Sequence, residues 1–170
     1  MVDAVLQDKT AIITGASKGI GKAIARTFCA AGASVALAAR GREDLEQTVK
    51  EIEGEGGRAL AIPTDVTEVA QVQSLIDHTV AELGTVDILV NNAGAAPFLS
   101  TLDQMRLAGF EKYFRLNFNG AVHCMKAVAP ILMAKSGGCV LNVASVAGFI
   151  ASPGLTYYAS AKAEIGRAHV

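Results

Sequence analysis

Five short apolar runs, each five or six residues long, recur along this chain, and each is followed by a stretch with helical spacing. The runs are Thr10–Thr14, Ser34–Ala39, Arg58–Ile62, Val86–Val90 and Cys139–Val143. Between them the spacing predicts helices over Ile20–Ala31, closed by Gly32, and Arg42–Glu53. A third runs to Leu83, capped by Thr67 and stopped by Gly84, and a long one covers about Leu107–Ala134. The segment from Tyr157 is again helical in its spacing. Runs this short and this apolar suit parallel strands buried on both faces. Repeated strand–helix units with right-handed crossovers give a doubly wound α/β sheet, whose ligands bind at the carboxyl ends of the strands.

Composition agrees with a single buried-core domain. Of 170 residues, 51% are hydrophobic and the net charge is −1, with no basic run. That balance points away from nucleic-acid and membrane-surface partners, and no apolar stretch is long enough to span a bilayer. Met1 to Lys9 carries acids and no apolar signal core. Cys29, Cys124 and Cys139 are scattered, which suits reduced thiols in the cytoplasm. His78, His123 and His169 share no metal-ligand spacing with them, so no metal site is expected. His123 reads as helix surface and core.

The first strand ends in Thr14-Gly15-Ala16-Ser17-Lys18-Gly19-Ile20-Gly21. Glycines at 15, 19 and 21 would let backbone N–H groups approach a phosphate at a helix N-terminus. About 20 residues on, where an acid would hold a ribose 2′-hydroxyl, stand Ala39 and Arg40. A small residue and a guanidinium favour a 2′-phosphate, and Lys18 would add a second positive charge. Tyr158 and Lys162 lie four apart and so share one helix face. An ammonium beside a phenol favours the phenolate and poises the tyrosine for proton transfer. Tyr157 has Ala161 at the matching offset, so Tyr158 is preferred. Ser145 ends the fifth strand, where its hydroxyl could bond a developing oxyanion. Asn117 is a poor interior helix residue, which suggests a functional reason for it.

The spacing T-G-x-x-x-G-x-G, the run Asn91-Asn92-Ala93-Gly94, and the ordered set Asn117, Ser145, Tyr158 and Lys162 together resemble the classical short-chain dehydrogenase/reductase family along nearly the whole chain. The resemblance implies a Rossmann-type fold and an NAD(P)(H)-dependent oxidoreductase that interconverts a ketone and a secondary alcohol. Tyr158 would be proton donor and acceptor. NADP(H) is the expected cofactor and NAD(H) the alternative. By the same resemblance Asp65 and Val66 contact the adenine, Ala93 and Gly94 leave room for a ribose, and Asn91 ties neighbouring strand ends together. Lys162 would hold the nicotinamide ribose hydroxyls, and Asn117 a water that relays protons to the lysine. The loop Ala95-Ala96-Pro97-Phe98 would border the substrate. Phe110, Tyr113, Phe114 and Phe118 have the helical spacing of core or interface packing, and the family's long helix packs on a partner subunit, so a homo-oligomer is expected of the full-length form. A catalytically silent NADP(H)-binding regulator is the competing reading.

The family continues for two more strands beyond the position of Lys162, so the Rossmann domain is read as residues 1–163, incomplete at its C-terminus. The fifth strand is then expected to be an exposed apolar edge, with poor solubility and weak or absent catalysis, an inactive fragment of the reductase. Residues 164–170, Glu-Ile-Gly-Arg-Ala-His-Val, can be back-translated as GAG ATC GGA AGA GCA CAC GTC. From its second base this string matches a widely used short-read sequencing adapter, and an adapter origin is the expectation for this tail.

Overall fold

The computed structural model describes residues 4–96, 99–104, 106–135, 137–150 and 153–166. Pro97 and Phe98 of the expected substrate loop, and residues 167–170 of the tail, lie outside them.

Strands β1 (Thr10–Thr14), β2 (Ser34–Ala39), β3 (Arg58–Pro63), β4 (Ile88–Asn91) and β5 (Cys139–Asn142) form one sheet in the order β3-β2-β1-β4-β5, and every pairing is parallel. Helices α1 (Gly19–Ala30) and α2 (Arg42–Gly54) make the crossovers among the first three strands, and α3 (Val69–Leu83) leads back to β4. Alternation along the strands sorts side chains into two cores. Ala11, Ile13, Val35, Leu37, Ile88 and Val90 pack with Ala25, Leu45 and Ile52 on one face. Ile12, Ala36, Ala38 and Leu89 pack with Val72, Leu75, Ile76, Cys124, Val128 and Leu132 on the other. Helices on both faces explain why β1 is buried throughout. This is the doubly wound, Rossmann-type α/β arrangement.

Two local expectations are corrected. Thr67 does not cap α3; the cap position belongs to Glu68, and the helix starts at Val69. The Asp65 carboxylate accepts the Thr67 N–H at 2.9 Å, and this Asx-type turn takes the threonine out of the cap. The long helix is also not continuous. It divides into α4 (Leu107–Phe114), a π-helical turn (Arg115–Asn119) and α5 (Gly120–Ala134). The last helix, α6 (Thr156–Ile165), carries Tyr158 and Lys162. No strand follows β5 among the described residues.

Candidate active site

The carboxyl ends of β1, β2 and β4 open onto a cleft of about 570 Å³. Of the predicted cofactor residues, Gly15, Ser17, Lys18, Ile20, Arg40, Asp65, Val66, Ala93, Gly94, Tyr158 and Lys162 line it. Gly19, Gly21 and Asn91 stand outside its lining, as do the catalytic candidates Asn117 and Ser145.

Gly15 and Gly19 have φ of +66° and +57°, conformations that favour glycine. Gly21 is required by contact instead, because a Cβ there would lie 2.4 Å from the Gly15 carbonyl oxygen and 2.5 Å from Asn92 Nδ2. The first turn of α1 carries no acid, and Lys18 at its cap makes no side-chain cap bond. The N–H groups of that turn therefore remain open to an anion.

Thr14 and Asn92, which have no evident role in the sequence, join the two strand ends. Thr14 Oγ1 donates to the Val90 carbonyl at 3.2 Å and accepts the N–H groups of Asn92 and Ala93 at 3.0 Å each. Asn92 Nδ2 donates to the carbonyls of Thr14 at 2.9 Å and Gly15 at 3.2 Å. Together they sew the ends of β1 and β4, so the glycine turn and the Asn-Asn-Ala-Gly run lie side by side along the cleft. Asn91 lies beneath and donates from Nδ2 to Asn142 Oδ1 at 2.9 Å, which joins β4 to β5.

At the other end of the cleft, Asp65 sits near Arg40. Burial pushes its carboxyl up, but the Thr67 N–H and the guanidiniums of Arg40 and Arg115 outweigh that and hold it below the ordinary value of 3.8. The Asp65 side chain is thus a fixed acceptor. Arg40 is exposed at the rim.

The chemistry-bearing groups gather where α6 crosses the ends of β4 and β5. Lys162 is 4% exposed, and its Nζ donates to the Val143 carbonyl at 2.8 Å. No carboxylate pairs with it among the described ion pairs, and burial pushes its ammonium down from the ordinary 10.5. Nζ lies 5.9 Å from the centroid of the Tyr158 ring. Tyr158 is half-buried and faces the cleft, whereas Tyr157 is buried and donates its hydroxyl to the Arg106 carbonyl at 2.6 Å. Ser145 opens a short 3-10 turn (Val146–Gly148), and its Oγ accepts the Ala147 N–H at 3.2 Å. The serine O–H is left to donate elsewhere.

Asn117 occupies the middle of the π-helical turn, a kind of distortion frequent at functional sites. Its Nδ2 donates to the carbonyls of Ala95 at 3.0 Å and Tyr113 at 3.1 Å, and its Oδ1 accepts the Ala95 N–H at 3.1 Å. The side chain clamps the loop after β4. A Cβ at Gly94 would meet Asn117 Oδ1 at 2.6 Å and Lys162 Nζ at 3.2 Å, so a bare backbone is required between them.

A glycine turn packed so tightly that a Cβ at Gly15 or Gly21 would strike Asn92, uncapped helix N–H groups and a buried lysine at the far end of one cleft fit a dinucleotide. Among the described residues no group of His, Cys, Asp or Glu is placed to hold a metal ion.

The family model described as short chain dehydrogenase matches residues 9–167. The chain is 40% identical to the 7alpha-hydroxysteroid dehydrogenase of Escherichia coli K12 over 93% of its own length and 61% of the relative's. It is 35% identical to the 3-oxoacyl-[acyl-carrier-protein] reductase of Synechocystis over 94% of its length and 65% of the relative's. A solved structure of a 7 alpha-hydroxysteroid dehydrogenase complexed with NADH and 7-oxo glycochenodeoxycholic acid superposes with a TM-score of 0.91 at 39% identity, over 96% of this chain and 63% of that one. The chain thus spans less than two thirds of the length of these relatives. With a family match that runs from β1 through α6, the chain belongs to the short chain dehydrogenase family.

Proposed function

We propose that this chain carries the nucleotide-binding and proton-transfer machinery of an NADP(H)-preferring oxidoreductase that interconverts a ketone and a secondary alcohol. The observation that carries the reading is Tyr158 and the buried Lys162 in the same cleft as the glycine turn. When bound, the reduced nicotinamide supplies a hydride to the carbonyl carbon. Tyr158 gives its phenolic proton to the carbonyl oxygen in reduction and takes a proton from the alcohol in oxidation. The Lys162 ammonium favours the phenolate left behind, and the N–H groups not used by Val143 are free for ribose hydroxyls. The Ser145 O–H donates to the substrate oxygen and steadies it as charge develops. Asn117 holds the loop that carries Gly94 against the lysine; its donors are fully engaged, so its share in a proton relay passes through Oδ1 or the backbone of the π-helical turn.

The preference for NADP(H) rests on Ala39 beside Arg40 and on the exposed ammonium of Lys18; the related steroid dehydrogenase was solved with NADH, so NAD(H) is the cofactor to compare. No described helix is long and apolar enough to cross a membrane. A cytoplasmic location and a homo-oligomeric full-length form complete the proposal. The test is reduction of a ketone panel with each cofactor. In a form extended to the length of its relatives, Tyr158→Phe should lower turnover by at least about a hundredfold and leave NADPH binding unchanged. A regulator that binds without turnover would be indifferent to the change, and a form extended to the length of its relatives that reduces no ketone with either cofactor would refute the reading.

A further inference from the structure

Val66 sits on the floor of the cleft, 5% exposed. The turn around it is tied at almost every peptide. The Thr64 N–H donates to the Ala39 carbonyl at 2.8 Å, and the Asp65 N–H to Gln71 Oε1 at 2.8 Å. The Asp65 carbonyl accepts the Glu68 N–H at 3.0 Å. The Val66 N–H has no acceptor among the described residues.

The next peptide, between Val66 and Thr67, is pinned from both sides. Its N–H holds the Asp65 carboxylate at 2.9 Å. Its carbonyl lies 3.0 Å from Nδ1 of His123, which comes from α5, 57 residues away in sequence. The approach is close because Gly120, one turn earlier on α5, bears no side chain; a Cβ there would stand 2.6 Å from Val66 Cγ2. A carbonyl and an N–H of one trans peptide point in opposite directions. The histidine that holds the carbonyl therefore aims the N–H at Asp65. To bond a carbonyl, Nδ1 must carry a hydrogen, which it does in the Nδ1–H tautomer and in the imidazolium.

We infer that His123 is a positioning residue for the adenine end of the cleft, acting through the Val66–Thr67 peptide on the Asp65 carboxylate; this rests on the nucleotide reading above. The sequence gives no sign of it, because the bond joins a helix to a turn far away in the chain.

The test is equilibrium binding of two nucleotides to the chain of this sequence. One is NADPH. The other is its hypoxanthine analogue, which lacks the amino group that Asp65 would accept. His123→Leu removes the donor, and His123→Asn returns an amide N–H near the place of Nδ1. The leucine variant should raise the Kd of NADPH about fivefold and that of the analogue by less than about twofold, because with the analogue the Asp65 contact is already lost. The asparagine variant should return NADPH binding to within about twofold of the wild type. Should the leucine variant fail to fold, His123→Ala, which likewise has no donor, takes its place. Unchanged NADPH binding in the leucine variant, equal weakening of both nucleotides, or no recovery with asparagine would each overturn the inference. A wild-type chain that binds neither NADPH nor NADH would overturn the nucleotide reading, and this inference with it.

Discussion

Two adjacent tyrosines on α6 meet opposite environments. Tyr157 packs against Phe110 and Tyr113, with ring centroids 5.7 and 5.4 Å away, and its hydroxyl is engaged by the Arg106 carbonyl. Tyr158 turns towards the cleft and Lys162. Tyr157→Phe should therefore cost about 1 kcal/mol of stability and leave ketone turnover per folded molecule intact, the reverse of Tyr158→Phe. Urea midpoints and ketone reduction on both variants check this; loss of turnover in Tyr157→Phe with an unchanged midpoint would show that Tyr157, not Tyr158, carries the proton. The placement of Tyr158 beside Lys162 was legible because a helix puts residue 162, not 161, one turn above it. The roles of Thr14 and Asn92 were not legible. Their bonds depend on β1 and β4 lying side by side, 78 residues apart in sequence, and no local spacing encodes that.

At the scale of elements, the strands and the first three helices follow from apolar runs and turn glycines, which are local signals. The π-helical turn does not, since Leu107–Ala134 keeps a helical pattern through it. What shifts the ladder there is the Asn117 side chain, bonded to a loop after β4, a tertiary contact. The opposite end of the sheet offers a test of how the elements are held. Asp87, just before β4, accepts the Thr10 N–H of β1 at 2.9 Å and the ammonium of Lys135 beyond α5, which also donates to Thr85 Oγ1 at 2.9 Å. Burial pushes the Asp87 carboxyl up, but Lys135 and the Thr10 N–H outweigh it and hold it below 3.8. Asp87→Ala should cost about 2 kcal/mol near neutral pH and leave nucleotide binding unchanged, because the cleft is at the other end of the strands. A carboxyl lowered in the folded state stabilises fully above its unfolded value and loses that contribution as pH falls through the folded one. The gap between wild type and variant, read from denaturant midpoints, should therefore narrow in acid below 3.8. A gap that stays constant through that range would mean that the carboxylate charge is not what holds the strands.

For the molecule as a whole, the sheet is covered unevenly. The central strands are shielded by helices on both faces, but β5 pairs only with β4 among the described strands. One face of β5 is served by α5, where Val140 packs on the core and Asn142 Nδ2 lies 3.8 Å from Met125 Sδ. Cys139 and Leu141 point the other way and are exposed, Leu141 by 44%. Val146, Phe149 and Ile150 follow close behind and are exposed as well. An uncovered apolar edge with open backbone groups is a template for pairing with another chain, and natural sheets guard such edges with charge. The chain should accordingly self-associate as its concentration rises. Leu141→Lys places an ammonium on the edge without touching the cleft, which Leu141 does not line. Sedimentation velocity across a concentration series should then show the variant remaining monomeric where the wild type grows, with NADPH binding equal in the two. If wild type and variant sediment alike while both associate, another surface drives the contact, and the apolar turn after Ser145 becomes the place to substitute next.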